Sequence, residues 1–249
     1  MSEGDYTIII GGSSGVGRAL VQQCVYQGRK VLAVARDIRD LDALRNDCLI
    51  KFGNEIKILA IDITDKEIDA EKFLVECTSN IGTISTLFIT VGATHDEDRS
   101  ITNNELIEQL TLVNYLKPAQ LISSFTRYFQ KKGVGNIIAF TSITTVAPRR
   151  NNAAYAAAKT SLEFFCRAMQ HHLVKSKVRL HICSLGYVDT SMSFGLKLLF
   201  PVVSPERVAE FAIQMSKGDK RFAYYPRFWW LITAVLRALP WFIYKHLKF

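Results

Sequence analysis

Three side chains within residues 137–165 have the types and the spacing needed to move a proton to or from a substrate oxygen. Tyr155 and Lys159 are four residues apart in an alanine-rich stretch with a helical pattern, which places both on one face of a helix. Ser142 precedes Tyr155 by thirteen positions, at the end of a predicted strand. Strand ends of α/β sheets are where such groups commonly lie.

The chemistry of this set is specific. A tyrosine hydroxyl has a pKa of about 10, so it exchanges protons at neutral pH only when its phenolate is stabilised. The ammonium of Lys159 would stabilise that phenolate, and the hydroxyl of Ser142 would hold the same substrate oxygen. The set suits interconversion of a carbonyl and an alcohol in which a cofactor carries the hydride. Alternatively, Tyr155 and Lys159 are ordinary surface residues, which the spacing alone would favour.

A glycine-rich turn near the N-terminus supports the catalytic interpretation. Residues 7–10 form a predicted strand, and a helical pattern follows the turn. Glycines let the backbone approach a pyrophosphate, and a helix N-terminus offers unpaired N–H groups and a partial positive charge. The alternative is a plain tight turn. The candidate phosphate-binding residues are Gly11, Ser13, Ser14, Gly15, Val16 and Gly17.

The residues after the next two predicted strands bear on the choice of cofactor. An acid after the second strand would accept hydrogen bonds from ribose hydroxyls, whereas an arginine favours a 2′-phosphate. Here Arg36 precedes Asp37, so the sequence favours NADP(H) and leaves NAD(H) open. Arg36 as a solvated surface residue is the alternative. Asp62 ends the third strand, where an acid could meet an adenine edge.

Predicted strands alternate with helical patterns along the chain, which is typical of a parallel, doubly wound α/β sheet of the Rossmann type. No linker or repeat interrupts residues 1–225, so we predict one catalytic domain there. A long helical region at residues 103–132 contains Asn114 among apolar neighbours. A buried amide needs hydrogen-bond partners. Asn114 is therefore either a structural residue at a helix kink or part of a proton relay.

Bulk properties exclude several classes. Five scattered cysteines without a CxxC pair predict neither a disulfide framework nor a metal site. The N-terminus has no signal-peptide pattern, so we expect a cytoplasmic protein. Residues 216–249 hold seven lysines and arginines against one acid, Asp219, and so carry most of the net charge of +8. This basic end suits an anionic surface, and nothing indicates a nucleic-acid partner.

The C-terminal segment, residues 226–249, is apolar and aromatic as well as basic. Its apolar run is interrupted by Arg237 and followed by Pro240, which makes it too short to span a membrane. We predict a helix lying in the membrane interface on the cytoplasmic face. A helix buried against a second subunit is the alternative. The predicted apolar face comprises Phe228, Ile232, Val235, Leu236 and Leu239.

The chain resembles the classical short-chain dehydrogenases/reductases over roughly residues 6–225. The glycine motif of that family, Thr-Gly-x-x-x-Gly-x-Gly, corresponds to residues 10–17 here. The resemblance implies a homo-oligomer, either a dimer or a tetramer. It also implies a catalytic triad with Asn114 as a fourth member holding a water for the lysine. The triad would be Ser142, Tyr155 and Lys159. Further cofactor contacts would come from Asp62, Ile63, Gly92, Val188 and Thr190, and Tyr155 and Lys159 would also contact the cofactor.

The chain departs from the family pattern at three places. Ile10 replaces the threonine, Leu185-Gly186 replaces Pro-Gly, and residues 89–92 keep only the glycine of Asn-Asn-Ala-Gly. In the family the first and third of these places mainly brace the central sheet. We therefore expect changed local hydrogen bonding there more than changed catalysis.

Two subfamilies suggest a substrate. The glycine loop and residues 34–36 are similar to those of 3-ketodihydrosphingosine reductases. Residues 91–93, 135–142, 149–159 and 234–247 are more similar to those of decaprenylphosphoryl-keto-pentose reductases, which reduce a sugar ketone on a polyprenyl phosphate. We therefore predict an NAD(P)H-dependent ketoreductase for a membrane lipid-linked ketone. The alternatives are a 3-ketosphingoid or 3-ketoacyl lipid reductase and a non-catalytic NADP-binding protein.

Two further segments would meet such a substrate. Arg149 or Arg150 would grip a substrate phosphate, although both could be solvated loop residues. Residues 194–200, beginning with Phe194, form an apolar stretch that we interpret as a lid over a lipid tail. Such a stretch also packs as ordinary core.

Overall fold

Seven parallel strands form one sheet in the order β3-β2-β1-β4-β5-β6-β7 within the residues that the computed structural model describes, which are 5–65, 67–99, 103–147, 152–195 and 199–246. The strands are β1 (Tyr6–Ile10), β2 (Lys30–Ala35), β3 (Lys57–Ala60), β4 (Ile84–Ile89), β5 (Gly135–Ser142), β6 (Val178–Leu185) and β7 (Phe222–Tyr225). The helices are α1 (Gly15–Tyr26), α2 (Ile38–Phe52), α3 (Ala70–Ile81), α4 (Asn104–Thr111), α5 (Lys117–Lys132), α6 (Ala153–His172), α7 (Pro205–Lys217), α8 (Trp229–Ala238) and α9 (Trp241–Tyr244). The predicted Rossmann-type sheet is confirmed.

The apolar strands are buried because helices cover both faces of the sheet. In β1, Ile9 belongs to the core on one face, whereas Ile8 and Ile10 belong to the core on the other. This alternation is the two-residue period of a strand. The sheet is therefore a rigid platform, and its carboxyl edge carries the loops that hold the predicted site.

The strand order reverses at β1, which pairs with β2 on one side and with β4 on the other. The loops after β1 and β4 consequently lead to helices on opposite faces and leave a crevice between them. Ligands of doubly wound sheets bind in such a crevice, outside the carboxyl ends of the strands.

The predicted helix at residues 103–132 is divided by a π turn, Leu112–Leu116, between α4 and α5. Asn114 lies in this turn and is fully buried. A π turn inserts a residue into the helical hydrogen-bond pattern and is frequent at functional sites. Helical periodicity alone does not reveal such an insertion.

The C-terminal segment continues the packing of the domain. Trp229, the first residue of α8, is 1% exposed. Among the described residues, no helix is both long and apolar enough to cross a membrane. The structure also differs from the predicted apolar face, because Ile232, Leu236 and Leu239 are half-buried against the protein.

Candidate active site

A cavity of about 420 Å³ opens at the carboxyl edge of the sheet, between the loops after β1, β4, β5 and β6. It gathers residues that lie far apart in the sequence. The predicted residues that line it are Gly11, Ser13, Ser14, Gly15, Val16, Gly17, Arg36, Asp62, Ile63, Gly92, Ser142, Tyr155, Lys159, Val188 and Thr190.

The glycine loop is closely packed where it turns from β1 into α1. Gly11 has a φ of +86°, which favours glycine, and its N–H donates to the carbonyl of Val34 at 2.8 Å. A Cβ on Gly17 would overlap the carbonyl oxygen of Gly11. Helix α1 begins at Gly15, and the hydroxyl of its N-cap, Ser14, makes no capping hydrogen bond. The first N–H groups of α1 are thus left for an anionic ligand, which fits a cofactor pyrophosphate.

Thr90 connects two strands at the place where the chain departs from the family pattern, namely Ile10 and residues 89–92. Its Oγ1 lies 2.8 Å from the carbonyl oxygen of Ile10 and 3.2 Å from that of Gly11. It thereby ties the end of β4 to the start of the glycine loop. We expect changed local hydrogen bonding at this place, and in the structure the hydroxyl of Thr90 makes the hydrogen bonds there.

Tyr155 and Lys159 face the cavity from the first turns of α6 and are both buried. Burial raises the pKa of Tyr155, and a hydrogen bond with Ser142 opposes that rise. Ser142 is the last residue of β5. The two hydroxyls are thus adjacent, as binding one substrate oxygen requires.

Lys159 is held by the backbone of the two central strands. Its Nζ donates to the carbonyls of Val91 at 3.2 Å and Phe140 at 3.3 Å. Burial lowers the pKa of Lys159 from 10.5 to about 8, because the buried ammonium loses its hydration. A proton on Lys159 is therefore labile near physiological pH.

Asn114 lies behind the cavity wall, where its side chain satisfies the backbone around it. Its Nδ2 donates to the carbonyls of Ala93 at 2.8 Å and Leu110 at 3.0 Å, and its Oδ1 accepts from the Ala93 N–H at 3.1 Å. A Cβ on Gly92 would lie 3.1 Å from this Oδ1 and 3.2 Å from the Nζ of Lys159. Gly92 therefore lies between the amide of Asn114 and the ammonium of Lys159. Because it has no side chain, both groups can pack closely against it.

Asp98 was not anticipated from the sequence. It is buried, and its carboxylate accepts from the backbone N–H groups of Ala154 at 2.9 Å and Tyr155 at 3.0 Å. The N-cap of α6, Asn152, makes no side-chain cap of its own and has a φ of +71°. Asp98 therefore caps α6 from the short 3₁₀ turn Asp96–Arg99. Asp98 is one of three consecutive acids in a polar loop, and nothing in that run signals this contact.

Glu163 is a second buried acid that the sequence did not single out. Its carboxylate accepts from the hydroxyls of Thr145 at 3.0 Å and Thr141 at 3.4 Å, and from Arg167 at 2.8 Å. Thr141 and Thr145 flank Ser142 in the chain. Glu163 thus joins α6 to the segment that presents the serine hydroxyl.

Unlike the predicted triad and cofactor residues, the three predicted substrate residues are not found lining the cavity in the part of the chain that the structure describes. Arg149 and Arg150 lie outside the described residues. Phe194 is 87% exposed and does not line the cavity. The apolar side chains that line it include those of Val113, Ile143 and Met192.

Comparison with known proteins defines the class. The sequence profile of the family described as short chain dehydrogenase matches residues 5–197, well over half of the chain. The protein belongs to the short-chain dehydrogenase family and is an NAD(P)-dependent oxidoreductase acting on CH–OH or C=O groups. An uncharacterised oxidoreductase of Mycobacterium tuberculosis is 25% identical over 244 residues, covering 96% of each chain. A 3-oxoacyl-[acyl-carrier-protein] reductase of Bos taurus is 26% identical over 188 residues, covering 76% of this chain and 77% of the relative.

Solved structures share the fold. A short-chain dehydrogenase from Sphingobium yanoikuyae in complex with NADPH superimposes with a TM-score of 0.81 at 20% identity, covering 98% of this chain and 96% of that one. One from Burkholderia cenocepacia in complex with NADP has a TM-score of 0.80 at 20% identity and covers all of both chains.

Proposed function

We propose that the protein is an NADPH-dependent ketoreductase whose substrate is a lipid-like or lipid-linked ketone. The adjacency of Ser142 and Tyr155 in a cavity bordered by apolar side chains is the observation that carries this proposal. A polyprenyl-phosphate keto-sugar is the particular substrate that the sequence resemblance favours.

The chain's own residues would prepare the carbonyl for reduction. A bound nicotinamide cofactor supplies the hydride. Tyr155 donates a proton to the carbonyl oxygen, Lys159 stabilises the phenolate that results, and Ser142 hydrogen-bonds the oxygen to hold the carbonyl in place. Asn114 fixes the backbone of Ala93 beside Gly92 and so maintains the wall behind the lysine.

The surroundings of Arg36 and Asp37 support NADP(H). Arg36 lines the cavity with an exposed guanidinium, 4.0 Å from Asp62. The Asp37 carboxylate instead accepts hydrogen bonds from the backbone N–H and the guanidinium of Arg39, which lower its pKa to about 2. Asp37 is thus engaged as the cap of α2, which favours a 2′-phosphate beside Arg36 over a ribose hydroxyl beside Asp37.

Arg36→Ala is expected to raise the KM for NADPH about tenfold and to change the KM for NADH little, because a charge-assisted contact to the 2′-phosphate is lost. Steady-state kinetics with both cofactors measure the effect. Arg39→Ala is the matched control, since it removes an exposed guanidinium that pairs with Asp37. An equal loss with NADPH and NADH would contradict the assignment of Arg36.

The lipid-like substrate is supported by the loop after β6. Beyond Thr190, Met192 lines the cavity, and the exposed apolar side chains of Phe194 and Leu199 follow it in the chain. Exposed apolar groups beside a ligand cavity suit a long hydrocarbon chain. The basic C-terminal segment suits a phosphate on the same substrate.

A 3-ketoacyl lipid reductase is the second candidate function. The Bos taurus relative is named as a reductase of 3-oxoacyl groups on an acyl carrier protein. A ketone carried on an acyl chain would make the same demands on Ser142 and Tyr155. The two candidates differ in whether the chain recognises a phosphate-linked sugar or an acyl chain.

A panel of ketones would test the proposal. NADPH oxidation is followed with a polyprenyl-phosphate keto-sugar, a 3-ketosphingoid base, a 3-ketoacyl thioester and a short water-soluble ketone. We expect the lipid-linked ketones to give the highest kcat/KM. Equal kcat/KM for all four would reject the lipid-like substrate, and tight NADPH binding without any turnover would reject the ketoreductase.

The pH dependence of reduction should report Lys159. Its ammonium stabilises the phenolate formed when Tyr155 gives up a proton, and above a pKa of about 8 that charge is lost. We therefore expect kcat for reduction to fall as pH rises through about 8. Lys159→Arg should be slower but lack this descending limb, because guanidinium stays protonated. An unchanged limb in the variant would assign it to another group.

Asp98→Asn should lower kcat about tenfold with a smaller change in KM, because a misplaced Tyr155 reduces proton transfer more than binding. The buried N–H groups of Ala154 and Tyr155 would lose a charged acceptor. Asp96→Asn, on the same 3₁₀ turn but exposed, is the control. A lower melting temperature with unchanged kcat would mean that Asp98 only stabilises the fold.

A further inference from the structure

Helix α8 is apolar on the side that faces the protein and on the side that faces away. Its inner side carries Trp229 and Thr233, which are buried. Its outer side continues onto α9, and the large apolar side chains there are between 54% and 68% exposed. We call these residues the outer tail face: Trp230, Leu231, Val235, Trp241 and Phe242.

The charged residues of the C-terminal segment itself have one sign. Residues 220–249 contain six lysines and arginines and no aspartate or glutamate. Arg237 is exposed on α8, and Arg227 and Lys245 are exposed just before α8 and just after α9. Aromatic and aliphatic groups flanked by basic ones are the composition of a helix that lies in the interface of an anionic membrane.

A second copy of the chain is a poorer partner for this face. A two-fold dimer would place the same patch against itself, so the basic residues of both copies would meet. Like charges brought together at an interface are unfavourable. An anionic lipid surface satisfies both the apolar and the basic groups.

Trp229 connects the tail to the loop that lines the cavity. Its indole occupies the space where a Cβ on Gly186 would lie. Its ring also packs edge-on against Tyr187, with centroids 5.4 Å apart, and against Phe200, with centroids 4.9 Å apart. Gly186 and Tyr187 line the cavity. The tail and the cavity mouth therefore share one aromatic cluster.

We propose that the outer tail face docks on the surface of an anionic phospholipid bilayer and that the contacts of Trp229 hold the cavity mouth at that surface. A lipid-linked ketone would then reach Tyr155 without leaving the bilayer interface. Phe194, which follows the cavity-lining residues Met192 and Ser193 in the chain and is exposed, would contact the acyl region. The docking deepens the proposed function, since it names the source of the substrate.

Flotation with vesicles tests the docking on the full chain. Vesicles of equal parts phosphatidylcholine and phosphatidylglycerol are compared with vesicles of phosphatidylcholine alone. We expect binding to the anionic vesicles, weakened by high salt because the basic residues contribute. Trp230→Glu should lower the partition coefficient at least about tenfold. Ile50→Glu makes the same change of charge at an exposed position on α2 and should bind like the native chain.

Three results would overturn the docking. The native chain could fail to float with anionic vesicles, or Trp230→Glu could float as well as Ile50→Glu. Alternatively, light scattering could show that Trp230→Glu converts a dimer to a monomer, which would make the face an interface between copies. Because Trp230 does not line the cavity, reduction of a short water-soluble ketone should be unchanged in Trp230→Glu. Flotation therefore tests the docking, and reduction of the water-soluble ketone tests the ketoreductase activity, so a failure of one can be told from a failure of the other.

The link to the cavity has its own measurement. Anionic vesicles should raise kcat/KM of the native chain for a lipid-linked ketone at least about threefold, since the substrate is concentrated at the surface where the mouth lies. The same vesicles should leave kcat/KM for the water-soluble ketone unchanged. Equal enhancement in Trp230→Glu would show that the vesicles act on the substrate alone and would reject the link.

Discussion

Tyr155→Phe is expected to lower kcat for ketone reduction about 10³-fold, which is within the range for removal of a general acid. The phenyl ring fills the same buried space, but it has no proton to donate to the substrate oxygen. The charge of Lys159 then has no phenolate to stabilise, so its contribution is lost together with that of the hydroxyl. Rapid-mixing measurement of NADPH oxidation gives kcat directly.

A loss of kcat in Tyr155→Phe reports on the chemical step only if the variant still binds NADPH. NADPH should bind Tyr155→Phe with about the native affinity, because the glycine loop and Arg36 are untouched. Tyr224→Phe, on the strand β7 and outside the cavity, is the control for removal of a tyrosine hydroxyl. A nearly native kcat in Tyr155→Phe would mean that the proton comes from another group, and the proposed roles of Ser142 and Lys159 would fall with it.

The elements that are specified locally were predictable. The strands are short apolar runs, and the first, predicted at residues 7–10, is Tyr6–Ile10 in the structure. The turn at residues 11–17 combines glycines with a following helical pattern, so its place after β1 could be predicted. Parallel strands with helical crossovers bring the ends of β1, β4, β5 and β6 to one edge. Local patterns therefore placed Ser142, Tyr155 and Lys159 in the same cavity, while their catalytic roles stay a prediction.

The contacts that hold these residues were not predictable. Asp98 bonds the backbone of Tyr155, which is 57 positions away, and Thr90 braces Ile10, which is 80 positions away. Neither residue belongs to a pattern with its partner, because only the fold makes them neighbours. The π turn at Asn114 is similarly invisible, since one inserted residue leaves the apolar periodicity almost unchanged.

The tail shows a further limit of periodicity. Because α8 carries apolar residues around most of its circumference, with Thr233 and Arg237 as the polar exceptions, sequence alone could not tell which side packs on the protein. The side that packs is the one that carries Trp229, because the indole of Trp229 fits against Gly186, where any side chain would overlap it. That choice directs Trp230 and Leu231 outward. The exposed apolar side of α8 therefore lies at a different position around the helix from the predicted one. That α8 lies at a membrane interface stays a prediction.

Gly17→Ala is expected to weaken NADPH binding at least about 100-fold. A Cβ at this position would overlap the carbonyl oxygen of Gly11 and would lie 2.7 Å from the Oγ1 of Thr90. The oxygen belongs to backbone that Thr90 ties to β4, so it cannot rotate away as a flexible side chain would. The loop must open, and the N–H groups at the start of α1 then no longer converge on a phosphate. Fluorescence titration with NADPH measures the loss.

Gly28→Ala separates this effect from the general strain of replacing a glycine. Gly28 has a φ of +72°, but a Cβ there would meet nothing within 4 Å. It should cost about 1 kcal/mol of stability through its backbone conformation and leave the affinity for NADPH unchanged. If the two variants lost affinity equally, the close packing of Gly17 on Gly11 would not be what shapes the phosphate site. If Gly17→Ala bound NADPH as the native chain does, the pyrophosphate would have to lie elsewhere in the cavity.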